Sequence, residues 1–254
     1  MSGFSPDHPG AEVRVSPNFS PRRGAHRPSM IVLHYTGMET GEGAEAWLCN
    51  PASAVSSHYL VHEDGRIIQM VRESDRAWHA GKSSWRGEAD INSHSVGIEI
   101  VNPGHMLGYP PFPDRQIYAV IDLCRGIVNR YRMRPEHVLA HSDVAPGRKI
   151  DPGERFPWAR LFDAGVGNLV KASPIRSGAV LRSGDKGQAV EELQSMLALY
   201  GYGVDITGVF DRQTSIVVEA FQRHFRPRLV DGIADGSTMR TLSKMLATVE
   251  TSLG

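Results

Sequence analysis

The chain has 254 residues, of which 41% are apolar and 22% are charged, a composition typical of one large or two smaller globular domains and not of a disordered or collagen-like chain. Its 28 basic and 28 acidic side chains cancel, so it lacks the electrostatic attraction that favours nucleic acid or an anionic membrane surface as a partner. Two cysteines, Cys49 and Cys124, are too few for a disulfide framework or a four-thiolate zinc site.

The first 28 residues contain five prolines. Because proline disrupts strand pairing, this stretch predicts an irregular N-terminal arm. The arm has no apolar segment of the signal-peptide type, and no part of the chain has the ~18–20 consecutive apolar residues of a membrane helix. We therefore expect a cytoplasmic protein without a membrane span, whereas a translation start further upstream would favour the periplasm.

Strand and helix patterns alternate over residues 29–162, which we expect to form the first domain. Apolar or alternating runs rich in β-formers predict strands at residues 30–35, 58–62, 66–71, 95–101 and 137–140. An Asp-Gly turn at residues 64–65 joins the second and third of these runs into a hairpin. Helical spacing predicts helices at residues 41–48 and 117–131. Together these elements predict an α/β fold with a mixed central sheet flanked by helices.

The last part of the chain has a different composition. Residues 163–178 are rich in Gly, Ala and Ser without a sustained period, which predicts a linker. Beyond it, a Gly-x-x-Asp-x-x-Thr pattern begins at Gly208 and again at Gly232, and each Asp is placed to cap a helix. With a preceding apolar stripe at residues 190–200, the pattern predicts a small three-helix domain at residues 179–250 with a core of its own.

Two histidines are candidate metal ligands on the basis of their sequence positions, before any comparison with a family. His34 ends an apolar strand, where a buried imidazole needs a hydrogen-bond partner or a metal, and a satisfied core histidine is the alternative interpretation. His141 opens an eleven-residue stretch that is dense in ionisable groups and ends at Asp151. Two histidines and one carboxylate, with a fourth position for water, are the ligand set of a catalytic zinc site. Spacing alone does not choose between the interpretations.

Five motifs, in this order along residues 28–162, closely resemble N-acetylmuramoyl-L-alanine amidases, and more narrowly the bacterial zinc amidases related to peptidoglycan recognition proteins. They are His-Tyr-Thr at residues 34–36, Ser-His-Tyr-Leu-Val at 57–61, Ala-Trp-His-Ala-Gly at 77–81, Ser-Val-Gly-Ile-Glu at 95–99, and the stretch 141–153 that contains Ala-Pro-Gly-Arg-Lys. The tail, at about residues 179–247, resembles the three-helix peptidoglycan-binding domain of many cell-wall hydrolases.

This resemblance implies specific roles. Zinc ligands fall on His34, His141 and Asp151, the general base on Glu99, and an oxyanion-stabilising lysine on Lys149. The implied reaction is hydrolysis of the amide between the lactyl group of N-acetylmuramic acid and L-alanine, in peptidoglycan or in anhydro-muropeptides. Separately, we expect the protein to be a monomer. A recognition protein that binds muropeptides without cutting them is the alternative, and the presence of all the ligands favours the enzyme.

Six further residues are predicted to contact substrate because they lie in these motifs or beside the expected site. They are Tyr35, His58, Trp78, His79, Asn102 and Ala145. For the two histidines the alternative is a supporting role behind the metal ligands, and for Trp78 it is a place in the core or at the rim of the cleft.

Overall fold

The computed structural model describes residues 4–251, so the first three residues of the predicted arm lie outside the described residues. The strands are β1 (Ala11–Val13), β2 (Phe19–Pro21), β3 (Met30–Tyr35), β4 (Tyr59–Val61), β5 (Ile67–Gln69), β6 (Asp75–Ala77), β7 (Ser95–Ile100), β8 (Val138–Ala140), β9 (Val180–Leu181) and β10 (Ala234–Asp235). The helices are α1 (Gly41–Leu48), α2 (Ile91–His94), α3 (Asp114–Tyr131), α4 (His141–Val144), α5 (Trp158–Asp163), α6 (Gln188–Tyr200), α7 (Arg212–Phe225) and α8 (Gly236–Thr251).

A six-stranded sheet with the order β1-β5-β4-β7-β3-β8 forms the centre of the molecule. The four adjacent strands β4, β7, β3 and β8 are parallel to one another. Strand β5 pairs with β4 in the antiparallel direction. The β4–β5 hairpin turns at Gly65, whose φ of 91° favours glycine. The prediction of a mixed α/β sheet flanked by helices is confirmed.

The predicted irregular arm contains two short strands. β1 pairs parallel with β5 at the edge of the central sheet, and β2 pairs antiparallel with β6. The expectation of an arm without strand pairing is therefore wrong for these residues. The reason is the position of the prolines: Pro9 and Pro17 lie outside the two strands and Pro21 ends β2, so no proline interrupts a strand.

The two faces of the sheet are covered by different helices. Side chains alternate along a strand, and in β3 Ile31 and Leu33 join an apolar cluster with α3 and α5. Met30 and Val32 belong instead to a cluster that includes residues of α6, α7 and α8. The C-terminal helices therefore share an apolar core with the central sheet.

This shared core corrects the expectation that the C-terminal unit has a core of its own. Trp85, from the first predicted domain, is fully buried, and its ring centroid lies 5.0 Å from that of Tyr202. The segment predicted as a linker also packs, since the Ser173 N–H donates to Thr241 Oγ1 at 3.0 Å. Residues of β3 and of α6, α7 and α8 belong to one apolar cluster, so the C-terminal helices pack directly on the sheet. The domain boundaries themselves stay predictions.

The repeated Asp residues cap helices as the sequence predicts. Asp211 accepts a hydrogen bond from Thr214 N at 2.8 Å, and Asp235 accepts one from Thr238 N at 2.7 Å. Across residues 4–251, no helix has both the length and the apolar character that crossing a membrane requires.

Candidate metal and catalytic site

The site lies at the carboxyl ends of three neighbouring parallel strands, where ligands bind in open α/β sheets. His34 is the fifth residue of β3, and Glu99 is its direct partner in the register of β7. His141 follows β8 and begins α4. Parallel pairing brings these three positions to one edge because β7, β3 and β8 are adjacent in the sheet.

Three buried ligand atoms converge at this edge. His34 Nδ1 lies 2.8 Å from His141 Nδ1 and 3.2 Å from Asp151 Oδ2, and His141 Nδ1 lies 2.9 Å from the same carboxylate oxygen. Bonds of about 2.0–2.1 Å to a tetrahedral metal give ligand separations of about 3.3 Å, so the three atoms are spaced closely enough to share one ion. The predicted ligands are brought together.

The hydrogen bonds behind His34 fix which of its nitrogens faces the centre. The Ser95 hydroxyl donates to the Ile91 carbonyl at 2.6 Å, so Ser95 Oγ accepts from His79 Nε2 at 3.2 Å. His79 Nδ1 is then left as the acceptor for His34 Nε2, 3.0 Å away. The Nδ1 lone pair of His34 therefore points at the convergence point, as a metal ligand requires.

His141 is oriented in the same way, because its Nε2 lies 3.2 Å from the Ala80 carbonyl oxygen and its Nδ1 faces the centre. Burial, followed by the neighbouring His141, lowers the pKa of His34 to about 4, and burial lowers the pKa of His79 well below its ordinary value. Burial alone would raise the pKa of Asp151, but the two imidazoles outweigh it and hold that pKa low. At neutral pH the His34 imidazole is thus neutral and Asp151 is a carboxylate, and both are in the form that binds a metal.

Glu99 lines the cavity beside these ligands. Its Oε2 is buried, and among residues 4–251 it has no hydrogen-bond partner. Burial, and then the nearby Asp151 carboxylate, raises the pKa of Glu99 well above its ordinary value, and Lys149 opposes that shift. A carboxylate with high proton affinity and a free oxygen is suited to accept a proton.

The ring of His79 packs against the backbone of β7 at Gly97. A Cβ at this position would overlap the His79 ring, so only glycine allows the ring to stand behind His34. This contact explains in physical terms why Gly lies between Val96 and Ile98 in the motif that ends at Glu99.

Lys149 and Arg148 lie in the wall of the same cavity. The guanidinium of Arg148 donates to the carbonyls of Ala80 and Lys82, the latter at 3.0 Å. These hydrogen bonds hold the segment 141–151 against residues 80–82. Sequence reasoning missed Arg148, although it lies beside Lys149 in the motif.

The cavity has a volume of about 570 Å³. Of the predicted substrate contacts, Tyr35, Trp78 and His79 line it. Sequence reasoning missed its apolar rim, in which Trp47 is 48% exposed and Met106 is 91% exposed. Neither residue lies in a motif that suggests chemistry, so only the exposure of large apolar side chains could have indicated them.

The other three predicted contacts lie outside the cavity wall. His58 is fully buried and accepts from Gly97 N at 2.9 Å. Asn102 holds its own loop by donating to the Pro110 carbonyl at 3.0 Å. Ala145 is buried in the core cluster shared with the C-terminal helices. This geometry gives each of them a framework role and does not favour direct substrate contact.

Comparison with known proteins agrees with these features. Residues 24–154 match the family model described as N-acetylmuramoyl-L-alanine amidase, and residues 186–242 match that of a peptidoglycan binding domain. The chain is 38% identical over 234 residues to the N-acetylmuramoyl-L-alanine amidase AmiD of Escherichia coli K12, covering 87% of this chain and 83% of AmiD. It is 31% identical over 169 residues to the 1,6-anhydro-N-acetylmuramyl-L-alanine amidase AmpD of the same organism, covering 60% of this chain and 90% of AmpD.

Solved structures extend the match to the fold. The complex of E. coli AmiD with anhydro-N-acetylmuramic acid-L-Ala-D-γ-Glu-L-Lys is similar with a TM-score of 0.74 and 36% identity, over 91% of this chain and 98% of that one. AmpDh3 of Pseudomonas aeruginosa in complex with anhydromuramic pentapeptide gives a TM-score of 0.71 and 31% identity, over 88% of this chain and 92% of that one.

Proposed function

This chain belongs to the N-acetylmuramoyl-L-alanine amidase family and hydrolyses the amide bond between N-acetylmuramic acid and L-alanine, and we propose that it does so with a zinc ion held by His34, His141 and Asp151. The observation that carries the zinc proposal is the convergence of three buried ligand atoms within 4.8 Å of one another. Two neutral imidazoles and a carboxylate that leave one side open to a cavity are the donor set of a catalytic zinc site.

The residues around the ligands have different roles in the reaction. When bound, zinc supplies Lewis acidity and lowers the pKa of water towards about 7. Glu99 takes the proton of the attacking water on its unpartnered oxygen and delivers it to the leaving amine of L-alanine. The Lys149 ammonium, in the same cavity wall, stabilises the negative charge that develops on the amide oxygen.

We propose that the substrate is the muropeptide unit, either in the glycan polymer or as an anhydro-muropeptide fragment. AmiD and AmpDh3 are each solved with an anhydromuramic peptide, and a 570 Å³ cavity is of the size that takes such a ligand. The exposed ring of Trp47 at the rim offers a flat apolar face of the kind on which a sugar ring packs. The similarity of residues 186–242 to a peptidoglycan binding domain supports action on the polymer as well.

The test uses a defined anhydro-muropeptide and intact sacculi with the full chain. We expect release of a stem peptide with a free L-alanine amino group, loss of that activity after chelation, and recovery on addition of zinc. A wild-type protein that binds the muropeptide but releases no peptide at any zinc concentration would contradict the catalytic role. The cytoplasmic location and the monomeric state stay predictions, to be checked by cell fractionation and by light scattering of the purified protein.

A further inference from the structure

Helix α7 of the C-terminal unit lies against residues 141–151, the segment that begins with α4 and carries two of the proposed metal ligands, His141 and Asp151. At one end of the contact, His224 Nδ1 lies 2.6 Å from Asp143 Oδ2. Further along, the side chain of Ile216 lies 2.7 Å from the position that a Cβ on Gly147 would take. The unit that resembles a peptidoglycan-binding domain therefore contacts the segment 141–151 directly.

Asp143 is the centre of this contact. It is fully buried, and it lies two residues after His141. Its Oδ2 accepts from Ala140 N at 2.8 Å, which fixes the Leu139–Ala140 peptide, one residue before His141. Its Oδ1 accepts from the Tyr202 hydroxyl at 2.7 Å, while His224 takes the second position on Oδ2. Two of the three donors thus come from the C-terminal unit.

A buried carboxylate is stable only when hydrogen-bond donors compensate for its lost hydration. The His224 donor is held rigidly, because its ring stacks between Trp158, with centroids 3.7 Å apart, and Phe225, with centroids 3.9 Å apart. Burial and the neighbouring Asp143 raise the pKa of Tyr202 well above its ordinary value, so its hydroxyl keeps its proton and donates. Without these two donors, the buried Asp143 carboxylate is under-solvated, and we expect it to shift towards water. Ala140 would move with it through its hydrogen bond to Oδ2, and His141 through the chain.

We propose that Tyr202 and His224 are positioning residues for the metal centre. They act through Asp143, which sets the backbone at Ala140 and thereby the position of the His141 imidazole. The C-terminal unit is then part of the support of the active site, in addition to any role in binding polymer. This inference rests on the proposed metal role of His141, and its test therefore includes a measurement that needs no metal.

The experiment uses full-length variants and two measurements. The first is the zinc dissociation constant, from competition with a chelator. The second is the hydrogen-exchange rate of backbone amides in residues 140–151 of the metal-free protein. Tyr202→Phe keeps the ring against Trp85 and removes only the hydroxyl, and His224→Leu removes the second donor. His224→Asn puts an amide N–H near the position of Nδ1 and is the conservative rescue.

Tyr200→Phe is the matched control, because it also removes a buried phenol hydroxyl from the shared core, whereas the hydrogen bonds to Asp143 among residues 4–251 come from Ala140, Tyr202 and His224. We expect Tyr202→Phe and His224→Leu each to weaken zinc binding about 10-fold, by analogy with the loss of a residue that orients a metal ligand, and to speed exchange in residues 140–151. Tyr200→Phe and His224→Asn should match the wild type in both measurements, whatever their melting temperatures.

Wild-type zinc affinity and wild-type exchange in Tyr202→Phe would overturn the proposal, and this variant stands by itself if His224→Leu does not fold. A wild-type protein that binds no zinc would refute the proposed metal function. Even then, the exchange rates would test the positioning role. Exchange in Tyr202→Phe as slow as in the wild type would refute that role, and faster exchange confined to residues 140–151 would support it.

Discussion

Replacing Glu99 with Gln separates proton transfer from every other property of the site. Glutamine keeps the length and planarity of the side chain, so the cavity and the three proposed metal ligands should be undisturbed. It has no oxygen basic enough to take a proton from water. The Glu99 Oε2 is buried without a hydrogen-bond partner among residues 4–251, so no structural bond to that oxygen is lost in the variant.

General acid–base catalysis contributes about 10²–10⁴-fold to a rate. With 1.36 kcal/mol for each factor of ten, the variant should lose about 2.7–5.4 kcal/mol of transition-state stabilisation. We expect this loss in kcat, measured by release of L-alanine amino groups from a defined muropeptide, with zinc content equal to that of the wild type. A Glu99→Gln enzyme that keeps more than half of the wild-type kcat would assign the proton to another group.

The same variant has a predicted effect on stability. Because burial raises the pKa of Glu99 in the folded state, ionisation of Glu99 destabilises the fold. This penalty is absent below the ordinary glutamate pKa of about 4.3 and appears as the pH rises through the higher folded-state pKa. In the metal-free protein, Glu99→Gln should therefore raise the melting temperature at about pH 8 and change it little at about pH 4. An equal change at both pH values would contradict the burial argument.

Three further predictions address the remaining parts of the site. His34→Ala, His141→Ala or Asp151→Ala should each abolish tight zinc binding, measured by elemental analysis, and reduce amidase activity to background, so full activity in any of them removes that residue from the ligand set. Lys149→Met should lower kcat about 10²–10³-fold, as for loss of one oxyanion donor, with little change in KM; a change confined to KM would make Lys149 a binding residue. Trp47→Ala should raise KM for muropeptide about 2–10-fold at constant kcat, from loss of an aromatic contact; no change in KM would remove the rim from substrate binding.

Local patterns in the sequence predict most of the sheet and the chemistry at its edge. The apolar run that ends at His34, the alternation around Glu99 and the Asp-Gly hairpin are each decided within a few residues, and the structure has strands there. The ligand set needed more, since His34 and Asp151 are 117 residues apart and only the resemblance to a family joined them. The structure brings their ligand atoms together without any reference to that family.

Long-range packing explains what the sequence did not predict. Nothing local indicates that Tyr202 and His224 meet Asp143, because all three look like ordinary polar residues of separate elements. The strand at residues 11–13 was missed for the same reason: its partner β5 lies more than 50 residues away, and its register pairs Ala11 with Ile67. Such contacts depend on how the surfaces of distant elements pack together. Local propensity and periodicity carry no information about that packing.

The role of zinc is tested most directly by titrating the metal-free protein with zinc while cleavage of a defined anhydro-muropeptide is followed. Activity should be near background without metal, rise in proportion to added zinc, and level off at about one zinc per chain, because residues 4–251 contain one set of three ligand atoms placed to hold the ion. His141→Ala should show no such rise under the same conditions. Full activity in the metal-free protein, or an equal rise in His141→Ala, would contradict a reaction that depends on zinc at His34, His141 and Asp151.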